Sequence, residues 1–61
     1  EEISLREAMN RLPQRERHII DLRFFEGKTQ MEVADEIHIS QAQVSRLEKS
    51  ALKTIRQYLT L

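Results

Sequence analysis

With 61 residues the chain has room for one small domain, and 39% apolar beside 33% charged residues describes a globular fold rather than a disordered tail. The absence of cysteine excludes disulfide and thiolate-metal frameworks. No apolar run approaches a membrane span and nothing resembles a signal peptide, so the expected setting is soluble and intracellular, without a membrane partner. The formal net charge of zero hides an asymmetry. Residues 1–37 carry nine acids and six bases, whereas residues 38–61 carry four bases and one acid, which gives the C-terminal part a local positive field. One glycine and one proline point to long regular elements with few turns. The chain opens Glu-Glu without an initiator Met and is expected to be a piece of a longer protein.

Four helices are predicted, an all-α domain over 1–61. Ser4 is a candidate N-cap with Glu7 as its capping-box partner, and Leu5, Ala8, Met9 and Leu12 then share one helical face. Pro13, tolerated only in a first helical turn, marks the start of a second helix running to Phe25. Its apolar residues Ile19, Ile20, Leu22, Phe24 and Phe25 spread around the circumference, as expected of a central helix touched from several sides. Gly27 stands where a helix end favours a left-handed residue. A third helix, Gln30 to Ile37, is capped by Thr29 with Glu32. A fourth, Gln41 to about Leu59, is capped by Ser40 with Gln43. On the fourth, Val44, Leu47, Ala51, Ile55, Tyr58 and Leu59 share a core face opposite a stripe of Ala42, Ser45, Arg46, Lys49, Lys53 and Arg56.

Two capped starts eleven residues apart leave space for two helical turns and a bend, the spacing of a helix-turn-helix over 30–49. Ala34 supplies the small residue that lets the helices approach, and Val33, Ile37, Ile39, Val44 and Leu47 supply the apolar positions that fix their crossing. Ile39 is expected to plug the angle between them. His38 occupies the turn position where glycine is usual. Left-handed geometry there costs about 1 kcal/mol or more for a residue with a Cβ, although His tolerates it better than most. The competing reading of this pattern is an ordinary helical hairpin in a bundle.

Beyond the generic pattern, LPQRERHIIDLRFF, GKTQMEVADEI and ISQAQVSRLEKSALKTI resemble region 4 of the bacterial sigma-70 family, which recognises the minus-35 promoter element. KTQMEVA and ISQAQVSRLEK are most similar to the sporulation sigma factors of the sigma-G and sigma-F type. The resemblance implies sequence-specific binding of promoter DNA by an alternative sigma factor docked on core RNA polymerase, in a bacterial, nucleoid-associated, cytoplasmic setting. It implies no enzymatic activity, cofactor or small-molecule substrate. In the family the start of the last helix enters the major groove, which assigns Gln41, Ala42, Ser45 and Arg46 to base reading. Arg46 suits a paired hydrogen bond to guanine, Gln41 suits adenine and Ala42 a thymine methyl. Ser40, Gln43, Lys49 and Lys53 are assigned to phosphate contact, with Arg56 next on the same stripe. Housekeeping members carry a longer, charged set at the first two base-reading positions and usually Gln where Arg46 stands, so the hexamer read is expected to differ. The family also implies an apolar groove near Phe24 and Phe25 that cradles the flap-tip helix of the polymerase β subunit, and an anti-sigma factor as a further partner.

Several residues have plainer readings. His18 and His38 lack the companions of a metal site. Arg15-Glu16-Arg17 reads as a solvated face, and Phe24 and Phe25 read first as core, with one of them exposed if the groove exists. Two other functions fit the composition. A response-regulator-like output domain shares the Leu-x-x-Arg-Glu opening but not the last helix, and a helical protein-interaction module would carry the basic stripe incidentally.

Overall fold

The computed structural model describes residues 3–59. It contains, in chain order, four α-helices, α1 (Leu5–Asn10), α2 (Gln14–Ile20), α3 (Gln30–Ile37) and α4 (Gln41–Leu59), with a π-helical segment, Asp21–Phe25, continuing α2. The boundaries fall where the capping chemistry places them. Ser4 Oγ accepts the Glu7 N–H at 3.1 Å, and Pro13, with φ −54°, precedes the first residue of α2. At Thr29 the capping box is closed in both directions: the Glu32 N–H donates to Thr29 Oγ1 at 3.1 Å and the Thr29 N–H donates to Glu32 Oε1 at 2.8 Å. The boxes expected at Ser4 and Ser40 are formed in their hydroxyl half only among the described residues. Glu7 turns instead toward Arg11 at 3.8 Å.

The helix expected from Pro13 to Phe25 is not continuous. At Asp21 the ladder widens to a π turn, with the Glu26 N–H reaching Asp21 O at 3.0 Å. Gly27, at φ 73°, then reverses the chain, and the Lys28 N–H closes the end on Leu22 O at 2.9 Å, one residue longer than the usual glycine-ended cap. The extra residue turns the end of the segment away from the face that α2 would otherwise have continued. Leu22 stays buried at the hinge, while Phe24 and Phe25 are 52% and 64% exposed. The core reading of this pair is thereby corrected: both rings, rather than one, face outward.

The core divides into two clusters, and α2 feeds both. Ile20 joins Ala8, Met9, Leu12, Ala51 and Ile55, with Ile3 and Tyr58 packed alongside. Its neighbour Ile19 points the other way, into Leu22, Val33, Ala34 and Val44, with Ile37, Ile39 and Leu47 closing the edge. The central role expected for this helix therefore holds. α4 supplies Val44 to one cluster and Ala51 and Ile55 to the other, so its 19 residues, about 28 Å of helix, brace the long direction of a molecule measuring 38 × 19 × 16 Å. Two leucines placed on core faces by periodicity lie nearer the surface, Leu5 at 49% and Leu59 at 46% exposed. Each sits at the end of its helix, where no further turn covers it. Tyr58 is held instead by Arg11, whose guanidinium stacks 5.0 Å from the ring centroid. No described helix is long and apolar enough to cross a membrane.

Candidate nucleic-acid interface

The turn between α3 and α4 is built from three residues. His38 adopts φ 60°, ψ 46°, the left-handed geometry that its place in the pattern demands of a residue other than glycine. The His38 and Ile39 N–H groups both return to Ala34 O, Ile39 at 3.1 Å, which satisfies the end of α3 while Ile39 packs against the cluster formed by Val33, Ala34 and Val44. Ser40 then starts α4, its Oγ accepting the Gln43 N–H at 3.1 Å and its carbonyl accepting the Val44 N–H at 3.0 Å. Every apolar residue that the pattern assigns to the helix-turn-helix, from Val33 to Leu47, belongs to this one cluster. The crossing of the two helices is therefore set by packing and by caps at both sides of the bend.

With Val44 fully buried and Leu47 half-buried, the opposite side of the first two turns of α4 stands in solvent. Ala42 and Arg46 are exposed there, Gln41 is exposed at the start of the helix about 60° round from Val44, and Ser45 and Gln43 are half-buried at its margins. Lys49, Lys53 and Arg56 continue as exposed residues down the helix, and Ser40 is exposed at its start. The eight residues assigned to DNA are thus brought onto one element, with the four base-reading candidates in its first two turns and the lysines toward its C-terminal half. A helix of about 10–12 Å diameter with short side chains at Ala42 and Ser45 fits a major groove about 12 Å wide, and Arg46 supplies a planar five-donor fork for a guanine edge.

The sequence reading missed a buried carboxylate on this same helix. Glu48 is 8% exposed, the one charged residue counted as buried among those described. Its Oε1 accepts Arg23 Nε at 2.6 Å and lies 3.4 Å from Gln30 Nε2, while Arg23 Nη1 donates to Lys28 O at 2.8 Å. The pair is separated by 25 positions, so nothing local joins the two residues. A signal was nevertheless available, since Glu48 falls between Val44, Ala51 and Ile55 on the apolar side of α4. Nearby, Lys28 Nζ donates to Glu36 Oε1 at 2.5 Å. That bond, with the Glu36 charge, raises the lysine above its ordinary range. Glu32 is held below the usual carboxylate range, first by the Thr29 backbone N–H and then by the Thr29 hydroxyl.

A second surface lies at the other end of the molecule. Leu5, Met9, Ile20, Phe24, Phe25, Leu52 and Ile55 line an apolar groove, which continues past Leu5, Met9 and Phe25 to a rim of Arg6, Arg17 and Asp21. It opens about 21 Å along α4 from the first base-reading candidate, as the distance from Gln41 to Ile55 sets. Among the described residues no group of three or more acidic, histidine or cysteine side chains is gathered to hold a metal ion.

Residues 8–57 match the family described as Sigma-70, region 4. Among curated proteins the chain is similar to the RNA polymerase sigma-G factor of Clostridium acetobutylicum, 65% identical over 57 residues, covering 93% of this chain and 22% of that protein. It is also similar to the sigma-G factor of Bacillus subtilis, 63% identical over 57 residues with the same shares of the two chains, and to the sigma-F factor of Bacillus licheniformis, 51% identical over 59 residues, 97% of this chain and 23% of that one. The chain thus spans less than a quarter of the length of these relatives. No solved structure gives a significant match. A family match that takes in α2, the π segment, both helices of the helix-turn-helix and most of α4 leaves one assignment: the chain belongs to the sigma-70 region 4 family.

Proposed function

We propose that the chain is the promoter-recognition domain of an alternative sigma factor, one folded unit over 1–61 within a longer protein, and that it binds the minus-35 element through α4. The observation that carries this reading is the exposed first two turns of α4, held out by a helix-turn-helix whose apolar set is complete, in a chain of the region 4 family. Gln41, Ala42, Ser45 and Arg46 read base edges, and Ser40, Gln43, Lys49 and Lys53 meet phosphates. In this role the chain supplies an address and no chemistry of its own, and it acts in the bacterial cytoplasm wherever promoter DNA and polymerase meet. The groove lined by Phe24, Phe25 and Leu52 takes an amphipathic helix of the polymerase β subunit, the flap tip, by burying its apolar face. An anti-sigma factor that covered either surface would silence the domain. The similarity to sigma-G and sigma-F factors favours a sporulation promoter set. A match over residues 8–57 does not favour the response-regulator or interaction-module readings.

Site selection from random duplexes by the chain joined to core polymerase tests the proposal. The expected outcome is enrichment of one hexamer, with an affinity that falls steeply as salt rises because counterions are released from the phosphates. Recovery of no preferred sequence, or binding indifferent to salt, would refute it.

A further inference from the structure

We infer that Arg23 and Glu48 form a positioning clasp that fixes the rotation of α4 about its own axis, and thereby the register in which its exposed residues meet the bases. The inference rests on the promoter-recognition reading and adds to it a pair of residues that touch no DNA. Three separate stretches of chain converge on the Arg23 guanidinium. Its own π-helical segment aims it inward, its Nε bonds Glu48 Oε1 of α4 at 2.6 Å, and its Nη1 bonds the backbone carbonyl of Lys28, at the entry to α3, at 2.8 Å. Gln30, the first residue of α3, approaches the same Glu48 oxygen at 3.4 Å. The recognition helix, the helix it crosses and the segment beneath them are therefore tied at one point.

Packing alone does not supply this constraint. Aliphatic side chains such as Val44 and Leu47 hold α4 at its distance and crossing angle, but their contacts are non-directional and tolerate a small roll of the helix. A planar guanidinium with fixed donor directions, bonded at once to a carboxylate and a carbonyl, does not tolerate it. Glu48 sits two residues beyond Arg46, about 200° around the helix. Holding Glu48 inward holds Arg46 outward on nearly the opposite side. The pair is largely withdrawn from water, its side chains 26% and 11% exposed, and such an ion pair contributes little net stability compared with an apolar pair of similar size, so its value here lies in orientation. The π turn is part of the device. Widening the ladder at Asp21 redirects the segment, and Arg23 is the residue that faces the crossing of α3 and α4 while Phe24 and Phe25 turn outward.

The test separates orientation from folding. Removing one partner alone leaves a buried charge and threatens the fold, so the informative variant is the paired replacement Arg23→Met with Glu48→Leu, made in the 61-residue chain. Glu48→Gln, which keeps the shape and loses the charge, serves as a second variant. Each is measured by thermal melting and by titration, at one low salt concentration, of the preferred duplex against a scrambled duplex of the same length. The expected result is a Met/Leu variant that melts no lower than wild type and binds scrambled DNA within about twofold of it. Its preference for the selected site should fall by about tenfold or more, with Glu48→Gln intermediate. A folded variant that keeps the full preference overturns the clasp while leaving promoter recognition standing. Equal loss on both duplexes also overturns it, by showing general damage to the interface. A wild-type chain that never prefers any site overturns the promoter reading and the clasp's role with it.

Discussion

Arg46 and Lys49 differ by less than one helical turn, yet the proposed interface gives them different work. Both are exposed. Arg46 lies in the second turn of α4, which the proposal sets against base edges, and Lys49 lies just under a turn further along, which the proposal sets against the phosphates. Arg46→Ala is expected to weaken binding to the preferred site by about 1–3 kcal/mol and leave random-sequence binding nearly unchanged, whereas Lys49→Ala should weaken both alike and reduce the slope of log affinity against log salt by about one. Titrations at several salt concentrations decide between these outcomes, and equal losses on random DNA for the two variants would remove Arg46 from base reading. Two other residues hold left-handed backbone for opposite chemical reasons. Gly27, at φ 73°, has nothing within 4 Å of the place a Cβ would occupy, so Gly27→Ala should cost about 1 kcal/mol through conformation alone. His38, at φ 60°, carries that strain already, and His38→Gly should raise the melting temperature by a few degrees after the loss of chain entropy is subtracted. Both conformations are legible from the sequence, because each residue stands where a capped helix has to end. The Arg23–Glu48 bond is not: periodicity sets Glu48 on the apolar side of α4, but nothing in the sequence pairs it with an arginine 25 positions away.

The elements are most legible where capping residues bracket them. α3 runs from Gln30 to Ile37 and α4 from Gln41 to Leu59, as the Thr29 and Ser40 caps and the His38 turn predict. The second helix is less legible, since Pro13 and Gly27 mark its outer limits but no residue type encodes one extra unit in a hydrogen-bond ladder. The exposure of Phe24 and Phe25 stems from that unseen π turn, and periodicity alone does not separate a core ring from one that lines a docking groove. The closed box at the start of α3 makes two measurable statements. Thr29→Ala should lower stability by about 1 kcal/mol in denaturant titrations. Glu32 adds a pH dependence whose sign is fixed by its lowered carboxyl: the stabilisation is fully present above the ordinary value of 4.5 and disappears as the pH falls through the lower folded-state value. The melting-temperature gap between wild type and Glu32→Gln should therefore be steady near neutrality and close in acid. A gap that widened as the pH fell below that ordinary value would contradict the capping geometry.

At the scale of the whole molecule, α4 joins two surfaces, the exposed side of its first turns, which we propose meets DNA, and a groove lined by exposed aromatic rings. Phe25 is 64% exposed, so Phe25→Ser should leave melting temperature and DNA affinity close to wild type while abolishing capture by core polymerase, which a pull-down against the core enzyme would register. Retained capture would remove this groove as the docking face. The chain's neutral net charge conceals the first surface, and only division of the sequence at residue 38 exposes its positive field. The split of the core at adjacent residues, Ile19 facing the helix-turn-helix and Ile20 facing α1, has a consequence for local opening. α1 is six residues long and hangs on Ala8 and Met9, with Leu12 just beyond it, so its amides should exchange with solvent deuterium well before those of α3. A partner seated in the groove would then slow exchange in α1 first. The helix-turn-helix half, sealed by its own cluster, would keep its protection whether the groove is empty or filled.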